Sequence, residues 1–96
     1  MNNELDKLTV IVLTFKTDLE ILEKCLSSID PRVKTLIIEN SNYFLHQEFI
    51  SNKYKNVSIF CTGSNLGYSK GNNFGINKVQ TNYVLILNPD TECSPD

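Results

Sequence analysis

Apolar positions along the chain gather into short runs separated by polar breaks, and the runs set the expected elements. Leu8-Thr9-Val10-Ile11-Val12-Leu13 is nearly continuous apolar and rich in β-branched residues, as in a strand buried on both faces of a parallel sheet. It stops at Thr14-Phe15-Lys16. Thr17-Asp18-Leu19-Glu20 then has the S/T-x-x-E form of a capping box. Leu19, Leu22, Leu26 and Ile29 follow at helical spacing, with Cys25 on the same face, and Pro31 marks the stop. A second strand spans Val33 to Ile38 and ends in Glu39-Asn40-Ser41-Asn42. The weakly patterned stretch His46–Lys53 predicts one or two helical turns. Val57–Cys61 alternates and suits an edge strand. A helix is expected to start near Tyr68. Tyr83-Val84-Leu85-Ile86-Leu87 reads as a last strand buried on both faces, halted at Asn88-Pro89-Asp90 because proline donates no ladder hydrogen bond.

Strands this far apart cannot be hairpins and require parallel β-α-β crossovers. The first and last strands are the most apolar and are expected to be central. The fold class is α/β, a Rossmann-like parallel half sheet of order 3-2-1-4 flanked by helices. Ninety-six residues make one domain. In such a sheet, ligands bind beyond the carboxyl ends of the strands where strand order reverses. Here that point lies between Thr14-Phe15-Lys16 and Asn88-Pro89-Asp90, with Glu39-Asn40 and Thr62-Gly63-Ser64-Asn65 ending the neighbouring strands.

Composition narrows the function. Apolar residues make up 41% and charged residues 21%, a globular balance. Nine basic against eleven acidic residues leave a net charge of −2, without the basic stripe of a nucleic-acid binder. No apolar run approaches the roughly 20 residues of a membrane span. The start, MNNELDK, lacks the features of a signal peptide, so a cytoplasmic location is expected. Cys25, Cys61 and Cys93 form no C-x-x-C pair and have a single His46 for company. Reduced thiols, not a zinc site, are the expectation.

All four glycines fall between Gly63 and Gly75. Gly67, Gly71 and Gly75 recur every four residues, which on a helix stacks them along one side. Each costs about 1 kcal/mol of helix propensity against alanine, so something must compensate. Close approach of the helix to the sheet is one reading. A bare surface where a ligand touches backbone, with Lys70 near a phosphate, is the other. Asp90 is a lone strand-end carboxylate, either a turn former or a magnesium or manganese ligand beside phosphates. A receiver-type domain is excluded, since Phe15-Lys16 stands where it needs acids.

Taken in order, these segments resemble the amino-terminal part of family 2 glycosyltransferases of the GT-A fold, and most closely the rhamnosyltransferase-like members. Leu8–Lys16 resembles the opening strand. Leu36–Asn42 is similar to the family's V-D-N-x-S segment. Asn65-Leu66-Gly67-Tyr68-Ser69-Lys70-Gly71-Asn72-Asn73-Phe74-Gly75 resembles its N-x-G-[FY]-[AS]-x-G-x-N-x-G signature, and Leu85–Thr91 the strand ending in the metal-binding D-x-D. The resemblance implies a nucleotide-diphosphate-sugar donor, UDP- or dTDP-linked, and transfer to an acceptor of the cell-surface polysaccharide type. Thr14 and Glu39 would contact base and ribose, with Phe15, Lys16, Asn40, Asn65, Gly67, Asn73 and Asn88 around them. Lys70 would reach the nucleotide, and Asp90 would hold a divalent ion, magnesium or manganese.

Two positions depart from the family pattern: Glu39 stands where aspartate is usual, and Asn88 replaces the first aspartate of D-x-D. Family members continue well beyond this motif into the acceptor site and catalytic base. The chain is therefore read as a truncated donor-binding half, inactive alone. The competing expectation is a non-catalytic nucleotide-binding or assembly module, forming homo-oligomers through an exposed sheet edge.

Overall fold

In the computed structural model, which describes residues 4–89, the chain forms four parallel strands and three helices behind a 3-10 turn, Glu4–Lys7. The strands are β1 (Leu8–Thr14), β2 (Lys34–Glu39), β3 (Val57–Cys61) and β4 (Tyr83–Leu87). The helices are α1 (Leu19–Ser27), α2 (Gln47–Lys53) and α3 (Tyr68–Ile76). Strand order is β3-β2-β1-β4, as expected, and every pair is parallel.

Alternate side chains leave opposite faces of a strand, and the core divides accordingly. Val10, Val12 and Ile37 meet Leu22 and Leu26 of α1, Ile50 of α2, and Phe44 on one face. Ile11, Leu13, Leu36 and Ile38 meet Phe74 of α3 with Val79 and Ile86 on the other. Leu22 and Leu26 lie one turn apart, so a single stripe of α1 suffices for its side of the core.

Two sequence expectations are corrected. The cap of α1 is Asp18, whose carboxylate accepts the Glu20 N–H at 3.1 Å. The Thr17 hydroxyl, which the capping-box pattern selected, instead accepts the Phe15 N–H at 3.2 Å. Asp18 is thus left to satisfy an orphan donor of the first turn. The second correction concerns β4, which is an edge strand pairing only with β1 among the described residues. Tyr83, Val84 and Leu85 stay 63%, 37% and 48% exposed, and β2 takes the central place beside β1. Apolar content measures a strand's demand for burial and does not name the neighbour that meets it.

Gly71 and Gly75 explain how α3 fits. A Cβ on Gly75 would lie 2.9 Å from Ile38 Cγ1 and 3.1 Å from Ile11 Cδ1. One on Gly71 would lie 2.9 Å from Leu13 Cδ1. These two glycines let the helix backbone rest on the sheet. Of the two readings of the glycine stripe, close approach applies to them.

Candidate functional site

The register of β1 and β2 builds the centre of the site. Thr14 sits directly opposite Glu39 at the carboxyl end of the pair, so their side chains share a face. The Thr14 hydroxyl donates to Glu39 Oε1 at 2.6 Å. The second carboxylate oxygen accepts the Lys16 N–H at 3.0 Å and the Ser41 hydroxyl at 2.6 Å. Glu39 has no exposed surface. Lys16 has φ 51°, the positive-φ non-glycine residue of the described chain. A left-handed residue with a Cβ costs about 1–2 kcal/mol. A hydrogen bond to a charged group contributes about 1.5–3 kcal/mol, so the carboxylate offsets the strain.

Asn40 does the corresponding work one residue on. Its Oδ1 accepts the Leu66 N–H at 2.9 Å and lies 2.9 Å from the Thr62 hydroxyl. Its Nδ2 donates to the Gly67 carbonyl at 3.0 Å. A single buried amide thus ties the end of β2 to the loop after β3 and to the entry of α3. Gly67 precedes α3 with φ 84°, and a Cβ there would meet nothing within 4 Å. Unlike Gly71 and Gly75, this glycine serves backbone conformation and leaves open space.

Between the ends of β1 and β4, where strand order reverses, lies a cavity of about 180 Å³. Thr14, Phe15, Asn40, Asn65, Gly67 and Asn88 all line it, together with Tyr68 and Leu13. Phe15 and Tyr68 are well exposed, and none of the lining side chains among the described residues is charged. A second cavity, of about 420 Å³, opens on the other side of the β1–β2 tips and takes Lys16 and Glu39 into its wall with Tyr43, Phe44 and His46. The structure therefore divides the residues singled out in the sequence between two cavities. Lys70 and Asn73 lie exposed on α3 and line neither. Asp90 lies outside the described residues.

Residues to which the sequence reading gave no role of their own are Ser41, Leu66 and Tyr68, while Thr62 stood in it only as part of a polar strand end. Ser41 carried a usable signal, the E-N-S sequence at a strand end. Leu66 contributes only its N–H, which no side-chain pattern announces. Neighbouring Asn72 is buried with Oδ1 unpartnered, whereas Asn73, its counterpart in the motif, faces solvent.

The Cys61 thiol, opposite Glu39 across the β2–β3 register, has its pKa raised by burial and by the Glu39 charge. Burial likewise raises that of Cys25. Both stay protonated thiols near neutrality, unsuited to nucleophilic work. Among the described residues, no group of three or more His, Cys, Asp or Glu side chains could hold a metal. None of their helices is long and apolar enough to cross a membrane.

Two comparisons with known proteins bear on the site. The family described as "Glycosyl transferase family 2" matches residues 9–96. The chain is also 29% identical over 96 residues to the low-salt glycan biosynthesis hexosyltransferase Agl10 of Haloferax volcanii. The alignment covers 96% of this chain and 30% of that relative, so the chain spans about a third of the relative's length.

Proposed function

The chain belongs to glycosyl transferase family 2, and from that premise we propose that it is the donor-binding part of an enzyme that moves a hexose from a nucleoside-diphosphate sugar. The observation that carries this reading is the aromatic-rimmed, amide-lined cavity at the β1–β4 reversal. Phe15 and Tyr68 offer faces for a planar base, and Asn65 and Asn88 supply amides for its edge or the ribose. Gly67 leaves room for phosphate to approach backbone, and Lys70 on the first turn of α3 adds a cation within reach of a flexible stem. A cavity of about 180 Å³ has room for a base with part of its ribose, and the family resemblance favours a uracil or thymine nucleotide.

Magnesium and manganese are commonly held by one or two carboxylates together with substrate phosphates, and Asp90 is a carboxylate of that kind. Bound there, the ion would offset the negative charge that develops on the departing nucleoside diphosphate. Among the described residues no carboxylate lines the smaller cavity, and Glu39 has its oxygens committed to chain groups. The chain alone is expected to bind donor without appreciable transfer, with acceptors of the cell-surface polysaccharide type for the whole enzyme.

Isothermal titration with UDP, dTDP and GDP in magnesium tests this reading. UDP or dTDP should bind best, and Phe15→Ala should weaken binding about tenfold, as loss of a stacking face predicts. Asp90→Ala and chelator should each remove the magnesium-dependent part. Indifference to Phe15→Ala would overturn the assignment of the smaller cavity. Measurable transfer by the purified chain would overturn the inactivity.

A second reading, an assembly module, draws on β4. Its outer edge is unpaired among the described residues, three of its five side chains are exposed, and no charged residue stands between Lys78 and Asp90. Edges of that kind pair with other chains unless charge or proline blunts them.

A further inference from the structure

We propose that the outer edge of β3 is a self-association surface for a second copy of this chain, and that Lys78 keeps it closed. None of the residues involved lines either cavity at the strand tips, so the surface is separate from the proposed nucleotide site.

β3 ends the sheet on the side away from β4, and among the described residues it pairs only with β2. The register puts Phe60 beside Ile38, and Ile38 beside Leu13. These side chains form one apolar row on the α3 face of the sheet. Leu13 and Ile38 are buried, whereas Phe60 is 37% exposed, so the row stops unfinished at the edge. No charged residue stands between Lys55 and Lys70, and β3 has no proline. Edges lacking both charge and proline are the ones that pair with other chains. Two identical uncharged strands meet without repulsion, and a second β3, antiparallel about a two-fold axis, would continue the row.

The chain covers that place itself. Phe74 and Lys78 are four residues apart, and the helical turn continues past α3, with the Asn77 N–H on the Asn73 carbonyl at 3.0 Å and the Lys78 N–H on the Gly75 carbonyl at 2.9 Å. Phe74 and Lys78 therefore share a face. The Lys78 ammonium lies 4.5 Å from the centre of the Phe60 ring and 4.7 Å from that of Phe74. It makes no ion pair among the described residues. The negative faces of the two rings hold the cation over the exposed end of the row. A second copy would have to displace it and would bring two ammonium groups together across the axis.

Self-association is measured by sedimentation velocity on chains carrying Leu85→Lys, which closes the β4 edge. Lys78→Met keeps the stem and removes the charge. Lys78→Arg keeps a cation over the rings, and Phe60→Thr removes the end of the row with a residue that still suits a strand. Loss of two cation–π contacts and of the repulsion between lysines should make Lys78→Met associate about tenfold more tightly than the Leu85→Lys chain. Lys78→Arg should match that chain, and Phe60→Thr added to Lys78→Met should return it to the same level.

Association unchanged by Lys78→Met would overturn the proposal. A gain that Phe60→Thr does not reverse would place the surface elsewhere and overturn it too, and an equal gain in Lys78→Arg would refute the role of the charge. Hydrogen exchange supplies the readout should Phe60→Thr fail to fold. The Thr62 N–H and the Asn56 carbonyl bond to β2, so by alternation the backbone groups of Val57, Ile59 and Cys61 point outward. In concentrated Lys78→Met these amides should gain protection while those of β4 do not. No gain at Val57, Ile59 and Cys61 would exclude the pairing whatever sedimentation shows.

Discussion

Replacing Gly75 by alanine tests how tightly α3 is seated on the sheet. Two terms favour the substitution: about 1 kcal/mol of helix propensity and about 0.8 kcal/mol for one more buried methyl. Against them stands the fit. The new Cβ would meet Ile38 Cγ1 at 2.9 Å and Ile11 Cδ1 and Cγ2 at 3.1 and 3.2 Å. Both isoleucines are fully buried in the two central strands. The closest atom is not the free end of a flexible chain but the branch of a β-branched residue with restricted χ1. Relief therefore requires α3 to lift, at the upper end of the roughly 1–3 kcal/mol seen for overpacked cores. The expected net effect is a loss of about 1 kcal/mol, read as a urea midpoint lower by about 0.5–1 M. Gly71→Ala provides a comparison of another kind: its Cβ would meet the terminal Leu13 Cδ1 at 2.9 Å, which can rotate, but also Asn40 Nδ2 and Cγ at 3.1 and 3.4 Å, which hydrogen bonds hold in place. That variant should also lose stability and should shift the Leu66 amide, which Asn40 receives. A midpoint for Gly75→Ala at or above the parent value would refute the argument, since propensity would then outweigh contact.

Further outcomes follow from the same geometry. Asn40→Asp keeps the acceptor for Leu66 but turns a carboxylate oxygen toward the Gly67 carbonyl in place of a donor. It should cost about 1–3 kcal/mol in urea unfolding and shift the Gly67 and Tyr68 amides in NMR spectra. Asp30 is held at about 2, below its ordinary 3.8, chiefly by its hydrogen bonds with Arg32. A depressed carboxyl contributes stability fully above its unfolded value and loses it as pH falls through the folded one. Asp30→Asn should therefore flatten the stability profile between about pH 4 and 2, and the difference should shrink in about 1 M salt because the pair is exposed. Leu85→Lys places a charge on the open β4 edge and should abolish any concentration-dependent association seen by sedimentation. Association that persists in this variant would exclude β4 as its route.

Element types and strand order were legible because each run of apolar residues had one period. β1 is buried on both faces and read as such, whereas β2, equally buried, read only as a second apolar strand. β4 has an equally apolar sequence yet stands at the sheet's edge, because hydrophobicity states what a strand requires and says nothing of what lies beside it. Gly67, Gly71 and Gly75 show a similar limit. One spacing serves two purposes, an open positive-φ position and two packing contacts, and spacing cannot separate them. At the site, acids and amides ending the strands were visible in sequence. Their directions were not, since Glu39 points inward only because Thr14, Ser41 and the Lys16 N–H converge on it from two segments. The cap of α1 was misread for the same kind of reason. Thr17 and Asp18 are both competent, and the choice falls to Asp18 once the Thr17 hydroxyl receives Phe15.

The amide of Asn40 makes the two sides of the cleft mechanically unequal. On one side, the end of β2, the loop through Thr62 and the residues entering α3 are bolted together at one buried side chain, and α3 is pressed onto the sheet behind them. That side is a fixed jaw. The opposite side is the tip of β1, a four-residue turn from Phe15 to Asp18 held at its base by a carboxylate. A molecule entering between them meets a pinned wall on one side and two exposed side chains, Phe15 and Lys16, on the other.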